Sequence, residues 1–260
     1  MIKLLFTDMD GTLLRDNKDM PARAKEVLGA IADKGVIAGI ATGRSLPSLY
    51  RDFAGIETQL AYIAENGAIV QYKGEYICKE VMDRELVQRI LRTALSLDDV
   101  YPVVACATSA YIGLVGDELT AQFRYYYPTI HVMDDLLQVD DDIVKVALYC
   151  SKHQAEQVFA AFSDFTDVGI SISGADWVDL STKGVNKGRG IAEFQKRFNI
   201  TKAETMAFGD YMNDYEMLQN AGESYAMDNA YPKVKEVCKY VIGTNEEEAV
   251  IKVLLEKFEI

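Results

Sequence analysis

Ile2-Lys3-Leu4-Leu5-Phe6-Thr7-Asp8-Met9-Asp10-Gly11-Thr12-Leu13 is the stretch from which the fold is read. An apolar run stops abruptly at two carboxylates and a glycine. That pattern suits a buried parallel strand that ends in a functional loop, because strands covered on both faces read as continuous apolar runs. Two carboxylates two residues apart on an exposed turn can divide labour. One attacks an electrophile while the other handles protons. The first carboxylate and a neighbouring carbonyl can also hold a hard cation. The same D-x-D spacing also occurs in a plain solvated acidic turn.

The rhythm of an apolar strand ending in a polar loop continues further along. Pro21 to Lys34 carries Ala24, Val27, Leu28 and Ile31 at helical spacing. Val36 to Ala41 is a second apolar strand, followed by Thr42-Gly43-Arg44. Leu46 to Phe53 reads as a helix. Leu60 to Ala64 reads as a third strand, ending in Glu65-Asn66-Gly67-Ala68. Strand, loop and helix in alternation predict a doubly wound, mostly parallel α/β sheet, with ligands bound beyond the carboxyl ends of the strands.

The rhythm then changes. Ile69 to Val81 reads as a hairpin turning at Lys73-Gly74. Helices are expected over Asp83–Leu97, Leu119–Tyr126 and His153–Phe162. Strands are expected within Val100–Leu114 and over Ile143–Cys150, Val168–Ser173 and Trp177–Ser181, with Asp134 to Asp142 as a solvated acidic loop. This block reads as an α+β insert. The first rhythm returns with a helix over Lys187–Phe198, a strand over Thr205–Phe208 ending in Gly209-Asp210, a helix over Met212–Gln219, a strand over Ser224–Met227 and a last helix over Glu246–Phe258. The expected division is a discontinuous core, residues 1–82 and 186–260, around an inserted domain, residues 83–185.

Bulk properties bound the function. The 260 residues carry 40 Asp plus Glu against 27 Lys plus Arg, a formal net charge of -13, which argues against nucleic acid or an anionic membrane surface as a partner. The first apolar run is too short for a secretory leader, and nothing approaches the roughly 18 apolar residues of a membrane span, so a cytoplasmic protein is expected. Cys78, Cys106, Cys150 and Cys238 are scattered, which suits reduced thiols rather than a disulfide framework. His131 and His153 lie away from every motif and are read as structural or surface residues.

The hexapeptide Asp8-Met9-Asp10-Gly11-Thr12-Leu13 resembles the D-x-D-G-T-[LV] signature of the haloacid dehalogenase (HAD) superfamily. The resemblance makes Asp8 a nucleophile and Asp10 the acid and base, with the Asp10 backbone carbonyl on magnesium. Thr42-Gly43-Arg44 has a hydroxyl and free N–H groups that can donate to phosphate, or can cap a helix. As the family's second motif it puts Thr42 on the phosphate, with Gly43 and Arg44 beside it. Lys187, in Gly184-Val185-Asn186-Lys187-Gly188, is either a solvated lysine at a helix start or, as the third motif, the cation that neutralises phosphate and keeps Asp8 ionised.

Gly209-Asp210-Tyr211-Met212-Asn213-Asp214 matches the G-D-x-x-N-D form of the fourth motif. The resemblance implies that Asp210 completes a Mg2+ site, that Asp214 supports it, and that Asn213 reaches towards phosphate or metal. Oxygen donors with no motif imidazole or thiolate suit magnesium. Glu65-Asn66-Gly67-Ala68 can be a plain Asn-Gly turn; with the large insert it resembles the Cof-type (subclass IIB) branch, which puts Asn66 on the substrate side and makes the insert a C2-type α+β cap.

The implied activity is magnesium-dependent hydrolysis of small phosphate esters, sugar phosphates foremost and flavin or pyridoxal phosphates also, by a monomer or homodimer. A sugar phosphomutase with the same nucleophile is the alternative. A phosphoaspartate receiver also uses paired acids, a Thr and a Lys, but is about half this length. Tyr125, Tyr126 and Trp177 can stack on a substrate ring or simply pack, and Asp176 and Lys183 are further candidate contacts of the cap.

Overall fold

The computed structural model describes residues 1–173 and 176–260. The chain opens with β1 (Leu4–Thr7), α1 (Ala24–Asp33), β2 (Ile37–Ala41), α2 (Leu46–Asp52), β3 (Ala61–Ala64), β4 (Ile69–Tyr72) and β5 (Glu75–Lys79). It continues through α3 (Arg84–Ala94), β6 (Val100–Cys106), β7 (Ala110–Ile112), α4 (Asp117–Tyr126), β8 (Ile130–Val132), β9 (Ile143–Cys150), α5 (Ala155–Ala161), β10 (Val168–Ile172) and β11 (Trp177–Thr182). It closes with α6 (Lys187–Phe198), β12 (Thr205–Gly209), α7 (Tyr215–Gln219), β13 (Glu223–Ala226), α8 (Pro232–Val237), β14 (Tyr240–Val241) and α9 (Ala249–Phe258). These elements form two compact units. The first comprises Met1–Gly43, Phe53–Cys78 and Asn186–Ile260, and the second Arg44–Asp52 and Lys79–Val185.

The first unit is built on a Rossmann-like eight-stranded sheet, β14-β13-β12-β1-β2-β3-β4-β5. It is parallel from β14 through β3, and β4 turns back antiparallel to β3. All four residues of β1 are buried, as the unbroken apolar run requires. Register positions the chemistry. Thr7 lies level with Phe208 of β12 and with Ile40 of β2, and Ala41 lies level with Ile63 of β3. The loops after β1, β2, β3 and β12 therefore leave from one edge of the sheet.

Phe6 packs on Phe194 of α6 at 5.0 Å between ring centroids, and Phe208 stacks on Tyr225 at 4.7 Å. The last helix starts three residues later than its apolar pattern suggests. Thr244 and Glu247 bond reciprocally, Thr244 N to Glu247 Oε2 at 3.0 Å and Glu247 N to Thr244 Oγ1 at 3.3 Å, which closes a turn of their own before α9.

The second unit is a six-stranded sheet, β10-β11-β9-β6-β7-β8, antiparallel except where β8 joins β7. One core unites Val104, Val146, Leu148, Val178 and Leu180 with Ile90 of α3 and Val158 of α5. Val103, Ala105, Ile112 and Ala147 pack with Phe123 of α4 in another. The acidic stretch from Asp134 to Asp142 is not the solvated loop expected. Leu136–Gln138 forms a 3-10 turn capped by Asp135, and Leu136 and Val139 are buried in the core of α3. Two apolar side chains outweigh the surrounding charge, because each buried aliphatic is worth roughly 1.5–3 kcal/mol. β8, α8 and β14 were not anticipated; at three, six and two residues they are too short to show a period.

Trp177 meets the edges of Phe123 and Tyr126, at 5.8 and 5.6 Å, and Tyr125 meets Tyr126 at 5.1 Å. His153 pairs with Asp176, and Lys183 donates to the Thr166 carbonyl at 2.8 Å. His131 is exposed beside Tyr111. Cys106 and Cys150 are buried and Cys78 and Cys238 half-buried, all as thiols. Among the described residues, no helix is long and apolar enough to cross a membrane.

Candidate active site

Asp8 leaves the end of β1 with its N–H donated to the Phe208 carbonyl at 3.0 Å, so the last rung of the parallel ladder fixes its backbone. Its side chain is almost fully buried. Lys187, the first residue of α6, has no exposed surface and donates from Nζ to Asp8 Oδ1 and to Asp214 Oδ1, both at 2.6 Å. Helix α6 starts there because the Asn186 side chain caps it, accepting from Arg189 N at 2.8 Å. The lysine is seated by a close approach. A Cβ on Gly67, whose φ is +105°, would lie 2.2 Å from the Asn186 carbonyl oxygen. Only glycine lets the turn after β3 touch the start of α6.

Asp214 is held rigidly. Its Oδ2 accepts from the N–H groups of Asp210 and Tyr211 at 3.0 and 3.1 Å, while Oδ1 faces Lys187. Asp210 accepts from Thr12 Oγ1 at 2.7 Å. Gly11 faces it at a φ of +83°, where a Cβ would stand 2.5 Å from Asp210 Oδ2. Thr12 and Gly11 thereby clasp Asp210 to the loop that carries Asp8.

Asp10 is partly exposed and pairs with Lys18 at 3.0 Å. Thr42 is buried at the end of β2; its N–H donates to Ile63 O at 2.9 Å and its carbonyl accepts from Asn66 N at 3.0 Å. Asn66 Oδ1 accepts from Asn213 Nδ2 at 3.2 Å, and the Asn66 amide lies against Gly43. Glu65 and Asn66 both sit in the left-handed region, with φ of 50° and 54°. Such backbone costs on the order of 1–3 kcal/mol per residue and concentrates at functional loops.

Of the residues singled out by sequence, the first unit thus gathers Asp8, Asp10, Thr42, Gly43, Asn66, Lys187, Asp210, Asn213 and Asp214 at one sheet edge. Arg44 belongs to the second unit, where its guanidinium donates to Asp52 at 3.2 Å. The contacts of Thr12 and Lys18 were not anticipated. Thr12 stands inside the recognised hexapeptide, but its partner Asp210 is 198 residues away.

The electrostatics favour a bound cation. Asp8, Asp210 and Asp214 each present an oxygen within 4.8 Å of the others, and Lys187 is the cation bonded between two of them. Burial pushes the Asp8 carboxyl well above its ordinary value; Lys187 opposes that rise and Asp214 and Asp210 add to it. Burial, then Asp214, pushes Asp210 up to about 6. Burial alone would lower the Lys187 ammonium, but Asp214 and Asp8 outweigh it and hold it above its ordinary value. Three acids against one base leave a surplus of negative charge that a divalent ion at this oxygen cluster would neutralise.

Similarity to known proteins runs along nearly the whole chain. The sequence pattern of the haloacid dehalogenase-like hydrolases matches residues 5–254. The chain is 31% identical over 258 residues to the 5-amino-6-(5-phospho-D-ribitylamino)uracil phosphatase YbjI of Escherichia coli, covering 97% of this chain and 95% of that one. Its fold is similar to the crystal structure of SMU.1108c from Streptococcus mutans, with a TM-score of 0.90 and 25% identity over all of both chains. It is also similar to the HAD subclass IIB sugar phosphatase BT4131, with a TM-score of 0.82 and 25% identity over 99% of each chain.

Proposed function

The chain belongs to the haloacid dehalogenase-like hydrolases, as a phosphatase of small phosphorylated metabolites, and we propose that it is a magnesium-dependent phosphomonoesterase working through a phosphoaspartate on Asp8. The observation that carries this reading is the pair of 2.6 Å bonds from buried Lys187 to Asp8 and Asp214 within a three-carboxylate cluster. Asp8 Oδ attacks phosphorus and the ester P–O bond breaks. Asp10 gives its proton to the departing oxygen. A water then attacks the phosphorus of the acyl phosphate and Asp10 takes back a proton, which frees inorganic phosphate and restores the Asp8 carboxylate. Thr42, the Gly43 N–H, Asn66 and Lys187 donate to the non-bridging oxygens. Asp8, the Asp10 carbonyl and Asp210, with Asn213 and Asp214 in support, would hold magnesium, which would supply compensation for the negative charge of the phosphate.

The substrate is assigned as a phosphate ester of a sugar or sugar alcohol. The names of two relatives support this: one acts on a phosphoribityl compound and the other on sugar phosphates. Substrate choice is assigned to the second unit, acting as the cap. The test is phosphate release from p-nitrophenyl phosphate and a panel of sugar, polyol, nucleotide and vitamin phosphates, for wild type and Asp8→Asn, with magnesium and with chelator. Release that needs magnesium and disappears in Asp8→Asn is expected. Undiminished release by Asp8→Asn would remove the nucleophile assignment, and release unaffected by chelator would remove the metal.

A further inference from the structure

We infer that Asn229 and Asn245 are positioning residues that set the acid-base group of Asp10 from the far end of the chain; the inference rests on the reading of Asp10 given above. Asp10 lies on the loop after β1, where its carboxyl pairs with Lys18 of the same loop at 3.0 Å. The Met9 carbonyl accepts from Thr12 N at 3.3 Å and Leu14 N at 2.8 Å, and Asp10 and Leu14 form an isolated parallel bridge. Residues beyond position 228 tie this loop down. Asn229 Nδ2 donates to the Gly11 carbonyl at 2.8 Å. Asn245 Nδ2 donates to the Leu14 carbonyl at 3.0 Å and to Asp16 Oδ1 at 2.9 Å. The two asparagines are joined, since Asn245 N donates to Asn229 Oδ1 at 3.2 Å.

The anchored carbonyls belong to the residue after Asp10 and to its bridge partner, so the clamp brackets the carboxyl that must meet the leaving group. The turn that carries Asn229 is also bonded to the metal loop: Met227 N donates to Gly209 O at 3.2 Å and Tyr231 N to Asp210 O at 2.8 Å. One turn thereby registers the acid loop against Asp210. Asn245 is buried, and a buried amide is retained only with its bonds made. Asn229 is exposed, so its removal changes little but the bonds named.

A misplaced acid has a signature that general loosening lacks. Protonation matters most when the leaving oxygen is a strong base, so the loss should grow as the leaving group worsens. The experiment compares kcat/KM for p-nitrophenyl phosphate and phenyl phosphate in wild type, Asn229→Ala, Asn245→Ala and Asp10→Asn, with circular dichroism melts on each. The expected result is a loss of about tenfold on phenyl phosphate and less than about twofold on p-nitrophenyl phosphate for Asn229→Ala, at an unchanged melting temperature. Asn245→Ala should show the same bias with a lowered melt. Equal losses on both esters in the asparagine variants, beside a biased Asp10→Asn, overturn the inference and leave the acid assignment standing. An unbiased Asp10→Asn removes Asp10 as the acid, and the clamp's role falls with it.

Discussion

Replacing Lys187 by Met keeps the length and volume of the side chain and removes its charge. In the native site that charge makes two 2.6 Å bonds to carboxylates, Asp8 with 7% and Asp214 with none of its side chain exposed. Removing one partner of a buried ion pair costs roughly 3–5 kcal/mol, because the opposing charge is left without compensation. Taking about 4 kcal/mol, and about 2 °C of melting temperature per kcal/mol for a chain of this size, the protein should melt roughly 8 °C lower. The assay is differential scanning calorimetry at neutral pH in chelator, so that no cation fills the gap. A double variant, Lys187→Met with Asp214→Asn, removes one of the two stranded charges and should recover about half of the loss, a coupling that a double-mutant cycle isolates. A single variant that melts within about 2 °C of wild type would refute the claim that Lys187 is the electrostatic keystone of the site.

Gly11→Ala forces a methyl group to within 2.5 Å of Asp210 Oδ2 at a φ of +83°, so it should displace Asp210; titration calorimetry should show weaker magnesium binding, by about tenfold or more. Asp8→Asn should raise the melting temperature in chelator while abolishing phosphate release, since burial, with Asp214 and Asp210, outweighs Lys187 in disfavouring the Asp8 charge, and Lys187 keeps its bond to Asp214. At the far edge of the sheet, burial would raise Glu223, but Lys239, Lys257 and Tyr225 outweigh it and hold it down to about 2. A lowered carboxylate stabilises the fold above the ordinary value of 4.5, and the contribution is lost as pH falls from there towards 2. Urea titrations should therefore find Glu223→Gln less stable than wild type at pH 6, with the gap closing near pH 2.5.

Much of this was legible without coordinates. The run Leu4–Thr7 with its abrupt acidic end, the helical spacing of Val27, Leu28 and Ile31, and the return of the pattern at Lys187 are local signals, set by whether one or both faces of an element meet a core. They were enough to place an α/β sheet with an insert; the residues gathered at its edge were named by the resemblance of the hexapeptide and the later motifs to the HAD superfamily. The tertiary structure decided what depends on contact between distant segments. Register between β1, β2 and β12 brings Asp8, Thr42 and Asp210 to one edge, and no local pattern encodes register. Thr12 meets Asp210 across 198 residues, and Asn245 meets Leu14 across 231. Leu136 and Val139 sink into a core that their acidic neighbours disguise. Sequence periodicity reports which face of an element is apolar; it does not report which other element supplies the partner, because that choice is made by packing and hydrogen-bond satisfaction only once the chain has closed on itself.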